Sequence, residues 1–195
     1  WNIAFRPDEI IVTSGASEAI TFVLSVVAGG GDEVLVFEPC YTNYLSFAAQ
    51  ADVTMVPITL KVEDGYHFGS IERLRARITR KTRAILLCNP SNPTGTVYTS
   101  EELEAVAQIA VEHDLFVICD EVYREFVFDG GQVRSFTNFT DLAQRIIVVD
   151  SVSKRFNACG VRIGCLATHN REVLEVVLRY CQARLSVPTA EQLMV

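Results

Sequence analysis

Seven short apolar runs, rich in Val, Ile and Leu, alternate along this chain with longer segments of helical periodicity. The runs are bounded by turn residues and are typical of buried strands. They cover positions 10–13, 33–37, 53–58, 84–88, 115–119, 146–149 and 164–168. The helical segments cover positions 17–28, 41–51, 71–78, 100–113 and 171–184. This alternation predicts a three-layer α/β fold, with helices on both faces of a mostly parallel seven-stranded sheet.

Segment 100–113 carries the clearest helix signal. Thr99 precedes it and Glu102 comes three residues later, which is the spacing of a capping box. We therefore expect a helix that packs one apolar side against the sheet. That side is formed by Leu103, Val106, Ala107 and Ala110.

Length and charge limit what this chain can bind. Its 195 residues are enough for one large domain, predicted over positions 1–195, and its formal net charge is −7. An acidic chain without a Lys/Arg run predicts neither nucleic acid nor an anionic membrane as partner. No apolar stretch approaches the roughly 20 residues that a membrane-spanning helix needs.

The cysteines and histidines predict neither a disulfide framework nor a metal site. The six cysteines form no C-x-x-C pair, and several lie in apolar runs. We interpret them as buried thiols of a reducing compartment, which predicts a cytoplasmic protein. His67, His113 and His169 are far apart and show no metal-ligand spacing.

Residues that directly follow the strands are the candidate site, because parallel sheets bind ligands beyond the carboxyl ends of their strands. After the first strand, Ser14-Gly15-Ala16-Ser17-Glu18 runs into a helix. Small residues and free N–H groups there favour an anion such as phosphate. The alternative is a plain turn in which Ser17 is the helix N-cap.

Three more strands are each followed by a candidate residue. Tyr41, after the second strand, is either an aromatic for a planar ligand or a packing residue at a helix start. After the fourth strand, two Asn-Pro pairs form a stiff turn that would hold the Asn92 amide in one direction. Asp120 ends the fifth strand and, if buried, needs a cationic partner unless it is a helix N-cap.

Lys154 follows the sixth strand, with Ser151 and Ser153 before it and Arg162 eight residues after it. A lone lysine is usually a solvated charge, but burial or nearby cations can turn it into a nucleophile for carbonyl groups. A phosphate cradle, an aromatic, a carboxylate and an amine are together what pyridoxal 5'-phosphate requires. The sequence therefore predicts a site for that cofactor.

With these residues in place, the chain resembles the class I and II aminotransferases. These are fold type I enzymes of the aspartate-aminotransferase-like superfamily and depend on pyridoxal phosphate. The resemblance covers essentially the whole chain. It depends on four ordered motifs, which are Gly15-Ala16-Ser17, Asn92-Pro93-Thr94-Gly95, Asp120-Glu121-Val122-Tyr123, and Ser151-x-Ser153-Lys154 with Gly160-x-Arg162.

The resemblance implies a role for each matching residue. Lys154 would form the Schiff base with the cofactor and shuttle a proton, and Asp120 would pair with the pyridinium nitrogen. Asn92 and Tyr123 would hydrogen-bond the phenolate oxygen of the cofactor. Lys154, Asp120 and Tyr123 would thus be the catalytic residues.

Further contacts to the ring and to the phosphate are implied in the same way. Tyr41 would stack on one face of the ring, and Val122 would pack on the other. The phosphate would be held by Gly15, Ala16, Ser17, Ser151 and Arg162, with Ser153 as an additional contributor. The implied reaction transfers an amino group between an amino acid and a 2-oxo acid.

The resemblance also implies parts that we do not expect within this chain. Members of the family have a smaller domain built from both chain ends, with an arginine that binds the substrate α-carboxylate. They are usually homodimers whose subunits complete each other's sites. We therefore expect a large-domain fragment, a homodimer at full length, and little activity from the isolated segment.

Three alternatives stay open at this stage. Carbon–sulfur lyases and cyclopropane-forming synthases use the same platform, because the lysine and the ring contacts serve other carbanion reactions. A non-catalytic sensor domain of a transcription regulator would bind the cofactor without turnover. Ser151 to Lys154 also fits the S-x-x-K pattern of serine acylases, although the partner K-T-G is absent, since Lys81-Thr82 continues to Arg83.

Overall fold

A single seven-stranded sheet organises the chain in the computed structural model, which describes residues 5–128 and 130–195. The strands are β1 (Ile10–Thr13), β2 (Glu33–Glu38), β3 (Thr54–Thr59), β4 (Thr82–Cys88), β5 (Phe116–Asp120), β6 (Ile146–Ser151) and β7 (Gly164–Ala167). Their order across the sheet is β1-β7-β6-β5-β4-β2-β3. Each predicted strand is present, with ends that differ by at most two residues.

The sheet is mostly parallel, as predicted. Strands β3, β2, β4, β5 and β6 pair in parallel, whereas β7 is antiparallel to both of its neighbours, β6 and β1. Six strands therefore run in one direction and only β7 is reversed. Consequently the carboxyl ends of β1, β2, β4, β5 and β6 lie along one edge.

Helices cover both faces of the sheet. They are α1 (Gly15–Val27), α2 (Asn43–Gln50), α3 (Ile71–Arg75), α4 (Ser100–Glu112), α5 (Val152–Arg155), α6 (Arg171–Arg184) and α7 (Thr189–Leu193). Single turns of 3-10 helix lie at Pro7–Glu9, Val62–Asp64, Phe136–Asn138, Thr140–Leu142 and Cys159–Val161. None of the helices in the described ranges is both long and apolar enough to cross a membrane.

Three of the helix predictions need correction. Helix α2 begins at Asn43 instead of position 41, because the Tyr44 N–H bonds to a carbonyl three residues back. Helix α3 ends at Arg75 instead of continuing to position 78, because the next N–H groups, of Arg77 and Ile78, bond to carbonyls three residues back. Helix α1 begins two residues earlier than predicted, so Ser14 is its N-cap. The short helices α5 and α7 were not predicted, since neither is long enough to show an apolar periodicity.

Two apolar cores lie on opposite faces of the sheet. Alternate residues of a strand point to opposite faces, so Val34 and Val36 of β2 face one core while Leu35 and Phe37 face the other. The first core packs under α1, α2 and α6, and the second under α3 and α4. These two layers hold the sheet rigid along the edge where the candidate residues lie.

The predicted capping box of α4 is confirmed. The Glu102 N–H donates to Thr99 Oγ1 at 3.2 Å, and the Thr99 N–H donates to Glu102 Oε2 at 2.9 Å. The buried Glu102 carboxylate also accepts from the Phe68 N–H at 2.9 Å and lies 2.7 Å from His67 Nδ1. The cap therefore ties the start of α4 to the segment before α3.

The Thr99 cap gives a stability prediction. We expect Thr99→Ala to lower the free energy of unfolding by about 1 kcal/mol, because the Glu102 N–H at the start of α4 loses its acceptor. Urea unfolding followed by circular dichroism would measure the change. Ser100→Ala, at the next and exposed position, is the matched control and should change the stability by less than about 0.5 kcal/mol. Equal effects of the two substitutions would contradict the role of the cap.

Candidate active site

The predicted site residues converge on one cavity of about 190 Å³ beyond the carboxyl ends of the parallel strands. Eleven of the twelve line it, and the exception, Gly15, precedes the lining residue Ala16. The lining residues that were predicted are Ala16, Ser17, Tyr41, Asn92, Asp120, Val122, Tyr123, Ser151, Ser153, Lys154 and Arg162. Five separate segments of the chain therefore meet at this point.

The amino end of α1 and the Arg162 side chain form one corner of the cavity. Gly15 begins α1 with a φ of 75°, and a Cβ atom there would overlap the Arg162 guanidinium. Arg162 Nη1 donates to the Cys159 carbonyl at 2.9 Å, and Nη2 donates to the Ser14 carbonyl at 3.2 Å. A glycine is thus required for the guanidinium to lie against the helix start. The free N–H groups, the helix dipole and the cation together favour an anion.

Gly164 allows this corner to form. A Cβ atom at Gly164 would lie 2.6 Å from the Gly15 carbonyl carbon and 2.8 Å from the Asp150 carbonyl oxygen. The backbone of Gly164, the first residue of β7, therefore packs directly against the backbone at the start of α1. The alternative interpretation of Ser17 as N-cap is wrong, because Ser14 occupies that position and leaves Ser17 within the first turn, on the cavity.

Asp120 lies at the carboxyl end of β5, with only 4% of its surface exposed. The Tyr44 hydroxyl donates to Asp120 Oδ2 at 2.6 Å, and the Val122 N–H donates to Oδ1 at 3.2 Å. Burial raises the pKa of Asp120 to about 6, although both hydrogen bonds act in the opposite direction. Burial thus brings the pKa of the Asp120 carboxyl close to neutral pH.

Within the described residues, the hydrogen-bond partners of the Asp120 carboxylate are the Tyr44 hydroxyl and the Val122 N–H, so the expected cationic partner is not supplied by a described side chain. The alternative of Asp120 as a helix N-cap is wrong, because residues 122–125 form a turn. A buried carboxylate with neutral donors can accept a cationic ligand group from the cavity.

Lys154 lies in α5, one turn beyond the end of β6, and its side chain is exposed at the cavity. Its Nζ lies 5.9 Å from the centre of the Tyr123 ring and 4.0 Å from Cys159 Sγ. Ser151 caps α5 by accepting from the Ser153 N–H, and its hydroxyl donates to the Ile163 carbonyl at 2.9 Å. The hydrogen bonds described for the Ser151 hydroxyl go to the Ile163 carbonyl and to Ser153 Oγ, at 2.8 Å, and not to Lys154 Nζ, which weighs against the serine acylase alternative.

Sequence reasoning missed four residues of this cavity. Tyr44 is behind the carboxylate, and Ile20, Cys88 and Cys159 line the wall. Tyr44 and Cys88 lie in apolar surroundings, where each looks like an ordinary core residue, and burial raises the pKa of the Cys88 thiol. For Tyr44 the only signal was its spacing of three residues from Tyr41, which suits one helix face as well as a site.

The interpretation of all six cysteines as buried thiols is also wrong. Cys88 and Cys119 are buried and Cys159 is exposed, because it lies in the 3-10 turn between Lys154 and Arg162. The other three are half-buried, namely Cys40, Cys165 and Cys181. Within the described residues, no three His, Cys, Asp or Glu side chains are grouped so that they could hold a metal ion.

The Tyr44–Asp120 hydrogen bond gives a prediction for the pKa of Asp120. Donation from the Tyr44 hydroxyl stabilises the ionised carboxylate, so Tyr44→Phe should raise the pKa of Asp120 above about 6, by roughly one unit. Carboxyl carbon NMR of the folded chain against pH would measure it. Tyr98→Phe, which removes a buried hydroxyl from the opposite core, is the control and should leave this pKa unchanged. An Asp120 pKa that does not rise in Tyr44→Phe would contradict the assignment.

Comparison with known proteins agrees with this geometry. The family model "Aminotransferase class I and II" matches residues 2–195. A "Probable N-succinyldiaminopimelate aminotransferase" of Mycobacterium tuberculosis is 41% identical over 84% of this chain and 42% of its own length. An aspartate aminotransferase of Bacillus subtilis is 32% identical over 97% of this chain and 48% of its own length.

A solved structure shows the same arrangement of elements. The aspartate aminotransferase of Thermus thermophilus with maleate superimposes with a TM-score of 0.89 at 30% identity, over 97% of this chain and 49% of that one. The chain thus spans about half the length of the relatives it matches. With the family model matched over nearly every residue, this chain belongs to the class I and II aminotransferases.

Proposed function

We propose that the protein transfers an amino group between an amino acid and a 2-oxo acid with pyridoxal 5'-phosphate as cofactor. The observation that carries the proposal is that Lys154 and the buried Asp120 lie in the same cavity. They lie next to the anion corner, which is formed by the start of α1 and Arg162. An amine, a carboxylate and an anion site match the aldehyde, the ring nitrogen and the phosphate of that cofactor. The family match supports the same conclusion.

The phosphate is assigned to the corner between α1 and Arg162. Gly15 gives the guanidinium room to lie on the helix start, whereas a Cβ atom at that position would overlap it. The remaining groups of this corner are Ala16, Ser17, Ser151 and Ser153. N–H and hydroxyl donors with one fixed cation are a donor set suited to a phosphate dianion.

The ring is assigned to the space between Tyr41 and Val122, which both line the cavity. Asn92 and Tyr123, which also line the cavity, would donate hydrogen bonds to the phenolate oxygen. Asp120 would hold a proton on the ring nitrogen, since its carboxylate has no cationic partner among the contacts described and is nearly inaccessible to water. When bound, the cofactor supplies the electron sink that stabilises a carbanion at the amino-acid Cα.

Lys154 has two roles in this proposal. Its amine would hold the cofactor through the aldehyde group, with loss of water. When free, the same amine would take the proton from the substrate Cα and return a proton to the carbon next to the ring. Both roles need an accessible amine. Lys154 is exposed, and its Nζ lies 5.9 Å from the Tyr123 ring centre.

The parts beyond the cavity are also proposals. We infer a full-length protein in which this chain is the large, cofactor-binding domain and an additional domain supplies the arginine for the substrate carboxylate. We also infer a homodimer and a cytoplasmic location. The relatives of about twice this length support the additional domain, and the free thiols of the described residues support the location.

Covalent trapping of the cofactor tests the proposal. The natural full-length protein mixed with pyridoxal phosphate should develop a visible absorption band, and borohydride should fix one adduct on Lys154. Within this chain there are three lysines, so peptide mapping distinguishes an adduct on Lys154 from one on Lys61 or Lys81. Lys154→Ala should abolish the band. The matched controls Lys61→Ala and Lys81→Ala, both at exposed positions, should retain it.

Turnover then separates aminotransferase from the related alternatives. Amino acids added with a 2-oxo acid should give a new oxo acid and a new amino acid in equal amounts. Release of a thiol or of ammonia would instead indicate a lyase, and an unchanged substrate with bound cofactor would indicate a sensor. A folded full-length protein without any Lys154 adduct would overturn the proposal.

A further inference from the structure

A buried carboxylate outside the cavity links the two segments that carry Tyr123 and Lys154. Asp150, in β6, has its Oδ2 atom 2.8 Å from Arg124 Nη2 and 2.8 Å from Arg155 Nη2. Only 12% of the Asp150 side chain is exposed, with 14% of Arg124 and 27% of Arg155. Both are thus charge-assisted contacts that are largely shielded from water. Such contacts are stronger than ion pairs between fully exposed side chains.

Asp150 itself does not line the cavity. Its neighbour Ser151 does, and successive strand residues point to opposite faces of the sheet, so Asp150 points away from the cofactor site. Its second oxygen, Oδ1, accepts from the Ser151 N–H at 2.7 Å. The Asp150 carboxylate is therefore fixed on strand β6, and the side chains of Arg124 and Arg155 contact it from the two neighbouring segments.

Each arginine is directly adjacent in sequence to a proposed catalytic residue. Arg124 follows Tyr123 in the turn after β5, and Arg155 follows Lys154 in α5. Arg124 and Arg155 are 31 residues apart in sequence. One carboxylate oxygen joins them, so a shift of either segment must stretch a contact to Asp150.

Two further acids surround the pair of arginines. Glu125 Oε1 lies 3.4 Å from Arg155 Nε and 3.9 Å from Arg124 Nε. Glu121 Oε2 lies 3.9 Å from Arg124 Nη1, and burial raises the pKa of Glu121 to about 7. These longer contacts balance charge around the guanidinium groups, whereas the two short contacts converge on Asp150.

We propose that Asp150, Arg124 and Arg155 form a clamp that sets the position of the Tyr123 ring relative to Lys154. Asp150 is then a positioning residue, which acts through the two arginines and touches neither cofactor nor substrate. The inference rests on the proposed function, because it assigns the clamp to the spacing of two residues of that reaction. Errors of about 1 Å in such spacing can cost up to about a hundredfold in rate.

Lysine substitutions test the clamp without changing the net charge. Arg124→Lys and Arg155→Lys keep a cation but replace the planar fork by a single ammonium on a shorter reach. The matched control is Arg75→Lys, because Arg75 makes a comparable contact with Glu112, 2.8 Å between Nη2 and Oε2, which joins α3 to α4 and does not line the cavity. All variants are made in the natural full-length protein, together with the Arg124→Lys/Arg155→Lys double variant.

The expected result is a coupled loss. Each single variant should lower kcat about tenfold with KM changed less than about twofold, and should shift the pH midpoint of the visible absorption of bound cofactor. The double variant should be no worse than either single variant, since breaking one contact already opens the clamp. Arg75→Lys should behave like the wild type. Multiplied losses in the double variant, or unchanged kcat and pH midpoint in both single variants, would overturn the inference.

Hydrogen exchange of the cofactor-free protein gives a readout that does not depend on activity. Arg124→Lys should speed amide exchange in residues 152–156, and Arg155→Lys should speed it in residues 121–126, although each substitution lies in the other segment. Faster exchange confined to the substituted segment would overturn the clamp. Failure of the wild type to form the Lys154 adduct would overturn the proposed function and this inference together, whereas a normal wild type with normal variants would overturn the clamp alone.

Discussion

Six strands that run in one direction end on the same edge of the sheet, and every proposed contact to the cofactor depends on that edge. The residues after β1, β4, β5 and β6 are far apart in sequence, yet in the folded sheet they line the same cavity. The reversed strand β7 contributes differently. Its first residue, Gly164, lets the start of α1 approach closely enough for Arg162 to lie over it.

The cavity is built from groups that cost stability in the absence of a ligand. Asp120 is buried without a cationic partner among its described contacts, and its raised pKa means that the folded state binds its proton more tightly than the unfolded state does. Stability from this group is therefore lost as the pH rises from about 4 through about 6. A cationic ring nitrogen would remove that cost, so ligand binding and the ionisation of Asp120 favour each other.

The site combines rigid and adjustable parts. The anion corner is fixed by backbone contacts of Gly15 and Gly164, which leave no freedom for a side chain. The segments of Tyr123 and Lys154 are a turn and a single turn of helix, which have few backbone hydrogen bonds of their own. An ionic contact to a strand residue such as Asp150 is the kind of interaction that can hold such segments while letting the lysine side chain move.

The sequence by itself determined the strand–helix alternation, the capping of α4 and the identity of the residues after each strand. These are local properties, since propensity, periodicity and turn chemistry act over a few residues. The tertiary structure alone decided the partner of Asp120, because Tyr44 lies 76 residues away and reads as a core residue. Only the tertiary structure decided that Arg124 and Arg155 both contact the Asp150 carboxylate and that Cys159 is exposed. Contacts between distant segments depend on strand order and register, which no local pattern encodes.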